Sequence, residues 1–204
     1  YRYRNLIATA SASHHQFLRS LGATQVFDYK SLDVATQILN FAKTLNGTEP
    51  TIPFVLDCIG SKSGTLVPIA KIAQKETKVA VLLPVIVTEA SEAVVPEYSF
   101  DVQSSADWAE GVTVRGVRTH FYLNVSIIWL ENPCISMLTW KKNEFFKVHL
   151  QPTIMPALLA SGVVKPNRQR VIEGATLLER AQKAIDALRR KEVSGERLVW
   201  RVAE

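Results

Sequence analysis

The sequence predicts an α/β fold built on a parallel sheet that helices cover on both faces. Short apolar runs recur along roughly the first 120 residues, and amphipathic segments separate most of them. Glycine or proline closes several of these segments, which is typical of element boundaries. Strands that alternate with helices in this way pair in parallel, so we expect a doubly wound sheet.

The first elements follow one another closely. Residues 5–10 form an apolar run that predicts a strand, and Ser11 to Ser13 can cap a helix over 14–21 that Gly22 stops. A second strand is expected over 25–28. Ser31 then caps a helix that ends at Asn46 and Gly47, and its apolar residues share one face: Val34, Ile38, Phe41, Ala42 and Leu45.

Three more strands are predicted before residue 120, over 54–58, 78–83 and 112–119. The helix between the first two of them covers 64–74, and Pro84 stops the strand at 78–83. Residues 85–111 change character, with scattered serines and acidic side chains, and are expected to form a surface excursion.

The C-terminal tail begins with a capping box, in which Thr176 and Glu179 satisfy backbone amides of the first helical turn. An apolar stripe follows, Ser194 and Gly195 are expected to end the helix, and a final strand alternates apolar residues. The stripe comprises Leu177, Ala181, Ala184, Ile185 and Leu188, and the strand comprises Leu198, Trp200 and Val202.

Composition excludes several classes of protein. The 204 residues carry 24 Lys+Arg and 19 Asp+Glu, a net charge of +5, and 47% are hydrophobic, which is an ordinary globular balance. No apolar run reaches the roughly 18 residues of a membrane span, and the charged start lacks the core of a signal peptide, so we expect a cytoplasmic protein without a membrane partner. The basic tail alternates in sign, which is typical of a solvated helix face and not of a nucleic-acid partner. Two cysteines without clustered histidines predict no metal site.

Several stretches, in this order and spacing, resemble the second half of a medium-chain dehydrogenase/reductase, of the zinc-independent branch that includes quinone oxidoreductases and enoyl reductases. The stretches are Leu-Ile-Ala-Thr-Ala-Ser at 6–11, Ser-Leu-Gly-Ala-Thr-Gln-Val-Phe-Asp-Tyr-Lys at 20–30, Leu-Asp-Cys-Ile-Gly at 56–60, Val-Leu-Leu-Pro at 81–84 and Val-Ser-Gly-Glu-Arg-Leu-Val at 193–199. The resemblance implies a Rossmann-type domain over 1–160, and over 161–204 the last helix and strand of a GroES-like catalytic domain.

The resemblance lacks the start of the family's dinucleotide-binding domain. In that family a first strand and a glycine-rich turn, which binds the pyrophosphate, precede the run at 6–10. Both are missing here, and the chain begins with Tyr1 although its only methionines are Met137 and Met155. We therefore expect a C-terminal fragment that binds a dinucleotide poorly by itself.

The resemblance implies NADP as the cofactor. No acidic residue follows the first strand to bond a ribose 2′-hydroxyl, and Ser11, Ser13 and His14 stand there instead, with Tyr29 after the second strand. These four are candidate 2′-phosphate contacts. The alternative is that Ser13 only caps a helix and His14 is an exposed helix residue.

The other candidate contacts lie after later strands. The resemblance places the adenosine ribose near Asp57 and Gly60, although Asp57 can equally cap a turn. It places the nicotinamide near five residues that can equally be core: Leu83, Pro84, Gly116, Arg118 and Thr119. No catalytic residue is assigned, because hydride comes from the cofactor. Cys58 is expected to be a buried apolar residue, not a nucleophile.

Residues 125–142 fit neither a helix nor a strand and interrupt the resemblance. They hold two of the four tryptophans, one of the two cysteines and one of the two methionines. Val125-Ser126 can be encoded by a 5′ splice signal, Leu138-Thr139 by a branch point and Lys142 by a codon ending in AG. The segment is interpreted as a retained intron, with a genuine loop insertion as the alternative.

The predicted function is a fragment of an NADPH-dependent reductase that transfers hydride to an activated double bond or carbonyl of a small molecule. One alternative is a catalytically silent protein or a module that dimerises through the strand at 112–119, as in related dimers. Another is a different doubly wound domain, such as a methyltransferase, although the C-terminal helix and strand fit it less well.

Overall fold

The computed structural model describes residues 4–47, 49–91, 93–118 and 144–202, and the chain divides into two compact units, 1–117 and 118–204. The sequence places the domain boundary near residue 160, so the first compact unit is shorter than the expected domain. The assignment of the two parts to domains of a larger enzyme stays a prediction.

The described residues of the first unit form seven strands, and five of them match the predicted strands to within two residues at each end. The seven are β1 (Ile7–Ala10), β2 (Gln25–Asp28), β3 (Phe54–Asp57), β4 (Lys78–Leu82), β5 (Val85–Thr88), β6 (Glu97–Ser99) and β7 (Thr113–Val117), of which β5 and β6 were not predicted. β1 pairs in parallel with β2, and β3, β4 and β7 form a second parallel sheet in that order. The prediction of a mixed α/β fold with parallel strands is confirmed.

Three helices connect these strands. They are α1 (His15–Ser20) after a 3-10 turn at Ala12–His14, α2 (Val34–Asn46), and α3 (Val67–Ile72) after a π-helical turn at Lys62–Leu66. The predicted face of α2 is confirmed, since Val34, Ile38 and Ala42 are buried. Ser31 does not cap α2: its hydroxyl donates to Asp33, and the N-cap position belongs to Asp33. Ser13 lies inside the 3-10 turn and is not an N-cap.

The excursion at 85–111 is more ordered than predicted. β5 and β6 form an antiparallel pair, and Val85 and Val102 are buried with Val79, Val81 and other residues of the sheet core. The scattered serines hid this packing, because Ser105 is itself buried and donates its hydroxyl to the backbone oxygen of Asp101. The segment therefore belongs to the core of the first unit.

The two parallel sheets of this unit share one helical layer. Ile72 of α3 packs in one cluster with Phe27 of β2 and with Val34 and Ile38 of α2. Within the described residues, no strand joins the sheets, since β1 pairs only with β2 and β3 only with β4.

The two faces of β3 differ in exposure. Val55 packs against the sheet core, whereas Leu56, which points to the other face, is 54% exposed. The expected helical cover on both faces is thus not confirmed for this sheet. Among the described residues, β1 pairs only with β2 and β3 only with β4, so each of these two strands has one edge without a paired strand.

The second unit contains α4 (Glu144–His149), a π-helical turn (Leu150–Ile154), α5 (Met155–Ala160), β8 (Arg168–Val171), α6 (Leu177–Arg189) and β9 (Glu196–Val199). β8 was not predicted and pairs in parallel with β9. α6 ends five residues before Ser194, because Arg190 is its C-cap and Lys191 adopts a φ of 55°. Trp200 and Val202 lie beyond β9.

The capping box of α6 is confirmed. The Thr176 hydroxyl accepts a hydrogen bond from the Glu179 amide at 3.1 Å, and the Glu179 carboxylate accepts one from the Ala175 amide at 2.9 Å. The predicted stripe is less buried than expected: Ala184 is buried, whereas Leu188 is 57% exposed. The buried face is centred on Arg180, Ala184 and Ala187 instead. Among the described residues, none of the helices is both long enough and apolar enough to span a membrane.

Candidate cofactor site

The first group of candidate residues lies where β1 and β2 end. Ala10 pairs with Asp28 in the last register position, so Ser11 and Tyr29 leave neighbouring parallel strands at the same edge. This is the edge at which open α/β sheets bind ligands. The structure therefore brings together two candidates that are 18 positions apart in the sequence.

Backbone hydrogen bonds fix the conformation of the turn that follows β1. Ser11 is the N-cap of the 3-10 turn, its side chain makes no capping hydrogen bond, and its carbonyl accepts from the His14 amide at 2.9 Å. His15 Nε2 lies 3.0 Å from the Ala10 oxygen and ties the helix to the strand end. His14 is half-buried, and Ser13 is exposed. The expectation that His14 is simply exposed is not met.

Tyr29 presents its ring at this edge, with 47% of the residue exposed. The Lys30 ammonium lies 5.9 Å from the centre of the ring, and the Lys30 amide donates to the Asp28 carboxylate at 3.0 Å. Lys30 was not among the predicted contacts, although a lysine directly after the candidate tyrosine is a visible signal for an anion contact. Its ammonium group places a positive charge beside Tyr29.

The second group lies at the carboxyl ends of β3, β4 and β7. Asp57 is 4% exposed and its carboxylate accepts from the Ile59 amide and the Thr65 hydroxyl. Gly60 is buried, with a φ of 67°, and a Cβ there would lie 2.9 Å from the Leu82 oxygen. Only glycine fits this turn without strain. The structure gives Asp57 the turn-holding role that the sequence left open.

The nicotinamide candidates adjoin this turn. The Leu83 amide donates to the Val117 oxygen at 2.9 Å, and the Leu83-Pro84 peptide bond is cis. A Cβ on Gly116 would lie 2.6 Å from Leu83 Cδ1, so Gly116 leaves the space that the Leu83 side chain fills. Leu83 is partly buried against the sheet core, and Pro84 is exposed.

Two other candidates follow β7. Arg118 comes directly after the strand and is half-buried, whereas Thr119 lies outside the described residues. The segment at 125–142 also lies outside them. The structure thus gathers the candidates into two groups, one on each parallel sheet.

Cys58 and Ile59 are both exposed in the turn after β3. Cys58 was expected to be buried, but it is exposed, because β3 ends at Asp57 and the cysteine lies in the turn. Ile59 is 61% exposed at the same edge and was not selected. An isoleucine beside a strand end carries no chemical signal in a single sequence, and the Thr65 hydroxyl, eight residues after Asp57, carries none either.

No group of three or more His, Cys, Asp or Glu side chains that could hold a metal ion occurs in the described ranges. The carboxyls with clearly shifted pKa values lie elsewhere. In Asp33, for example, hydrogen bonds from Ser31 and Gln37 lower the pKa. Hydroxyl and backbone groups therefore dominate both candidate groups, which suits the binding of a dinucleotide better than proton transfer.

Comparisons with known proteins point to one kind of enzyme. The chain is 30% identical to the trans-enoyl reductase tasC of Hapsidospora irregularis over 197 residues, 28% identical to himH of Aspergillus japonicus over 201, and 25% identical to phm4 of Pyrenochaetopsis sp over 206. Each match covers 96–97% of this chain but only 44–47% of the relative. The chain spans a little under half the length of these curated relatives. No protein-family model matches it.

A solved structure supports the fold. CurA from Vibrio vulnificus, crystallised in complex with NADPH, matches 97% of this chain and 49% of its own chain, with a TM-score of 0.50 and 16% sequence identity. At this identity the likeness shows a shared fold. The chain is thus similar in sequence to proteins named trans-enoyl reductases and similar in fold to a protein crystallised with NADPH.

Proposed function

We propose that the chain is the C-terminal segment of an NADPH-dependent enoyl reductase of the zinc-independent medium-chain dehydrogenase/reductase type. The observation that carries the proposal is the similarity to three trans-enoyl reductases along nearly the whole chain. The parallel sheets and the fold likeness to CurA support a Rossmann-type first unit. The second unit would then be the returning part of a GroES-like catalytic domain.

The residues at the sheet edges fit NADPH in part. Ser11 and Tyr29 would bind the 2′-phosphate of the adenosine ribose, with His14 and the Lys30 ammonium beside them. The turn after Asp57 would line the ribose, and the backbone around Leu83 and Gly116 would meet the nicotinamide. When bound, NADPH supplies a hydride from C4 of its nicotinamide to the enoyl carbon.

The unpaired edges of β1 and β3 are one reason why we expect the chain alone to be inactive. A pyrophosphate-binding turn in such sheets follows a strand at the centre of the sheet and begins a helix. Among the described residues, β1 pairs only with β2 and β3 only with β4, so each has an edge that a further strand could fill. In the proposed enzyme, an upstream segment would supply this strand and the turn after it.

A fusion tests the function. The part of the Hapsidospora irregularis enzyme that precedes its matched region is joined in front of residue 5, to give what we call the completed fusion. We expect it to consume NADPH, followed by absorbance, only when a short 2-enoyl thioester is added. The 204-residue chain alone and the upstream part alone are the controls. A folded fusion that binds NADPH but reduces no enoyl thioester would overturn the proposal.

The outer edge of β7 is a candidate surface for dimerisation. β7 pairs only with β4 among the described residues, and on its other edge the Gln103 side chain donates to the Val114 oxygen at 2.9 Å. We include in the proposal a homodimer through residues 112–119, in which a second copy would pair along this edge. Sedimentation of the completed fusion should give twice the monomer mass, and a monomer mass would overturn this part of the proposal.

A further inference from the structure

The turn that follows β3 is held from within by a buried carboxylate. Asp57 Oδ1 accepts from the Ile59 amide at 2.9 Å, and Oδ2 accepts from the Thr65 hydroxyl at 2.7 Å. A carboxylate that is only 4% exposed needs such partners to stay charged at low cost. Both carboxylate oxygens of Asp57 therefore accept hydrogen bonds from within the turn.

Thr65 links this carboxylate to the next residues of the turn. Its hydroxyl oxygen accepts from the Ser61 amide at 3.0 Å and lies 3.2 Å from the Ser61 carbonyl oxygen. The hydroxyl has a single hydrogen, and the shorter, charge-assisted contact with Asp57 takes it. Thr65 thus joins Asp57 to Ser61 across the turn.

The far side of the turn is fixed to β5. The Gly60 oxygen accepts from the Ile86 amide at 2.7 Å, and Ser61 bridges to the same residue. A Cβ on Gly60 would meet the Leu82 oxygen, so the turn cannot shift toward the sheet. Cys58 and Ile59 are left as the exposed residues of the turn at the carboxyl edge.

We propose that Asp57 and Thr65 are positioning residues, which hold residues 58–60 in the conformation that contacts the dinucleotide. The contact itself is then made by Ile59 and the turn backbone, and the Asp57 carboxylate does not touch the ligand. This inference rests on the proposed function, because it assumes a dinucleotide at this edge. It replaces the interpretation of Asp57 as a direct ribose contact.

Cys58 provides a reporter inside the turn. In the full chain carrying Cys134→Ser, Cys58 is the one remaining thiol, and its rate of reaction with an aromatic disulfide reagent reports its accessibility. The rate is measured with and without millimolar NADPH for the parent and three variants. Thr65→Val removes the hydroxyl with little change in shape, Thr65→Ser keeps it, and Thr44→Val is the matched control on the exposed side of α2.

We expect Thr65→Val to raise the reaction rate of the Cys58 thiol several-fold in the absence of NADPH. We also expect it to raise the NADPH concentration needed for protection about tenfold, because one hydrogen bond to a charged group is lost. Thr65→Ser should restore both values, and Thr44→Val should change neither. A purely structural role would alter the unliganded rate without altering the NADPH concentration needed for protection.

The outcomes separate the two proposals. If millimolar NADPH does not protect Cys58 in the parent chain, this inference is overturned, whereas the proposed function is decided by the activity of the completed fusion. If NADPH protects the parent and Thr65→Val equally, or if Thr65→Ser does not restore protection, only the positioning role is overturned. Should Thr65→Val not fold, Asp57→Asn is measured in its place with the same criteria.

Discussion

Ala10 and Asp28 occupy the last paired position of β1 and β2, and this register places Ser11 beside Tyr29 at the end of the sheet. A shift of one residue in the pairing would put the two candidates on different sides of the strand ends. The proposed preference for NADPH over NADH depends on this pairing.

The first prediction concerns that preference. In the completed fusion, Ser11→Ala combined with Tyr29→Phe should weaken NADPH binding about tenfold or more, because hydrogen bonds to a charged group are lost, and should leave NADH binding unchanged. Competition titrations with the two cofactors measure this. Ser20→Ala is the control, since the Ser20 hydroxyl bonds to the Phe17 oxygen at the other end of α1. If the variant lost equal affinity for NADPH and NADH, Ser11 and Tyr29 would not contact the 2′-phosphate.

A second prediction concerns Gly60. Gly60→Ala should destabilise the first unit more than Gly22→Ala, which shares the cost of a positive φ, about 1–2 kcal/mol. The difference arises because a Cβ at Gly60 would lie 2.9 Å from the Leu82 oxygen, whereas a Cβ at Gly22 meets nothing within 4 Å. Urea unfolding of the two variants gives the comparison. Equal losses would mean that the turn can move away from β4.

The third prediction is a pH dependence in the second unit. Hydrogen bonds from Lys183 and the Ala175 amide, together with the charge of Lys183, lower the pKa of Glu179 from its ordinary value of 4.5. A lowered pKa in the folded state stabilises the fold above the unfolded value, and this stabilisation is lost as the pH falls through the folded value. Melting of the parent between neutral pH and pH values below 4.5 should show this loss.

Glu179→Gln should be less stable than the parent at neutral pH, and the difference should shrink as the solution becomes acidic. Glu173→Gln removes the same charge from the same unit and controls for net charge, because its carboxylate makes neither capping contact. A constant difference between Glu179→Gln and the parent across the pH range would show that ionisation of Glu179 does not matter.

The fourth prediction concerns residues 125–142, whose origin stays a prediction from the sequence. If they are a retained intron, RNA reads should join the codon of Asn124 directly to that of Asn143. Reads that carry all the codons between them in mature transcripts would favour a genuine insertion.

Several regular elements of both units could be predicted from the sequence. The face of α2 and the strand at Gln25–Asp28 followed from periodicity alone, and the capping box at Thr176 and Glu179 followed from residue type and spacing. These features are local, and each depends on residues within four positions of one another.

Features that depend on distant contacts were missed or wrong. Val85 and Val102 enter the core although the segment that contains them was predicted to be a surface excursion, and β8 was not visible because Arg168 and Arg170 dominate its sequence. Cys58 was assigned to a strand that ends one residue earlier. The Thr65 hydroxyl could not be connected to Asp57, because the turn that joins them has no recognisable spacing.

The most direct test of the account is a map of NADPH on the chain itself, by amide chemical shifts in NMR during a titration into the millimolar range. The account predicts weak binding, with shifts confined to residues 11–14, 29–30 and 57–60 and to the backbone around 83 and 116, and smaller shifts for NADH. Absence of shifts at these strand ends, or stronger shifts with NADH, would contradict it.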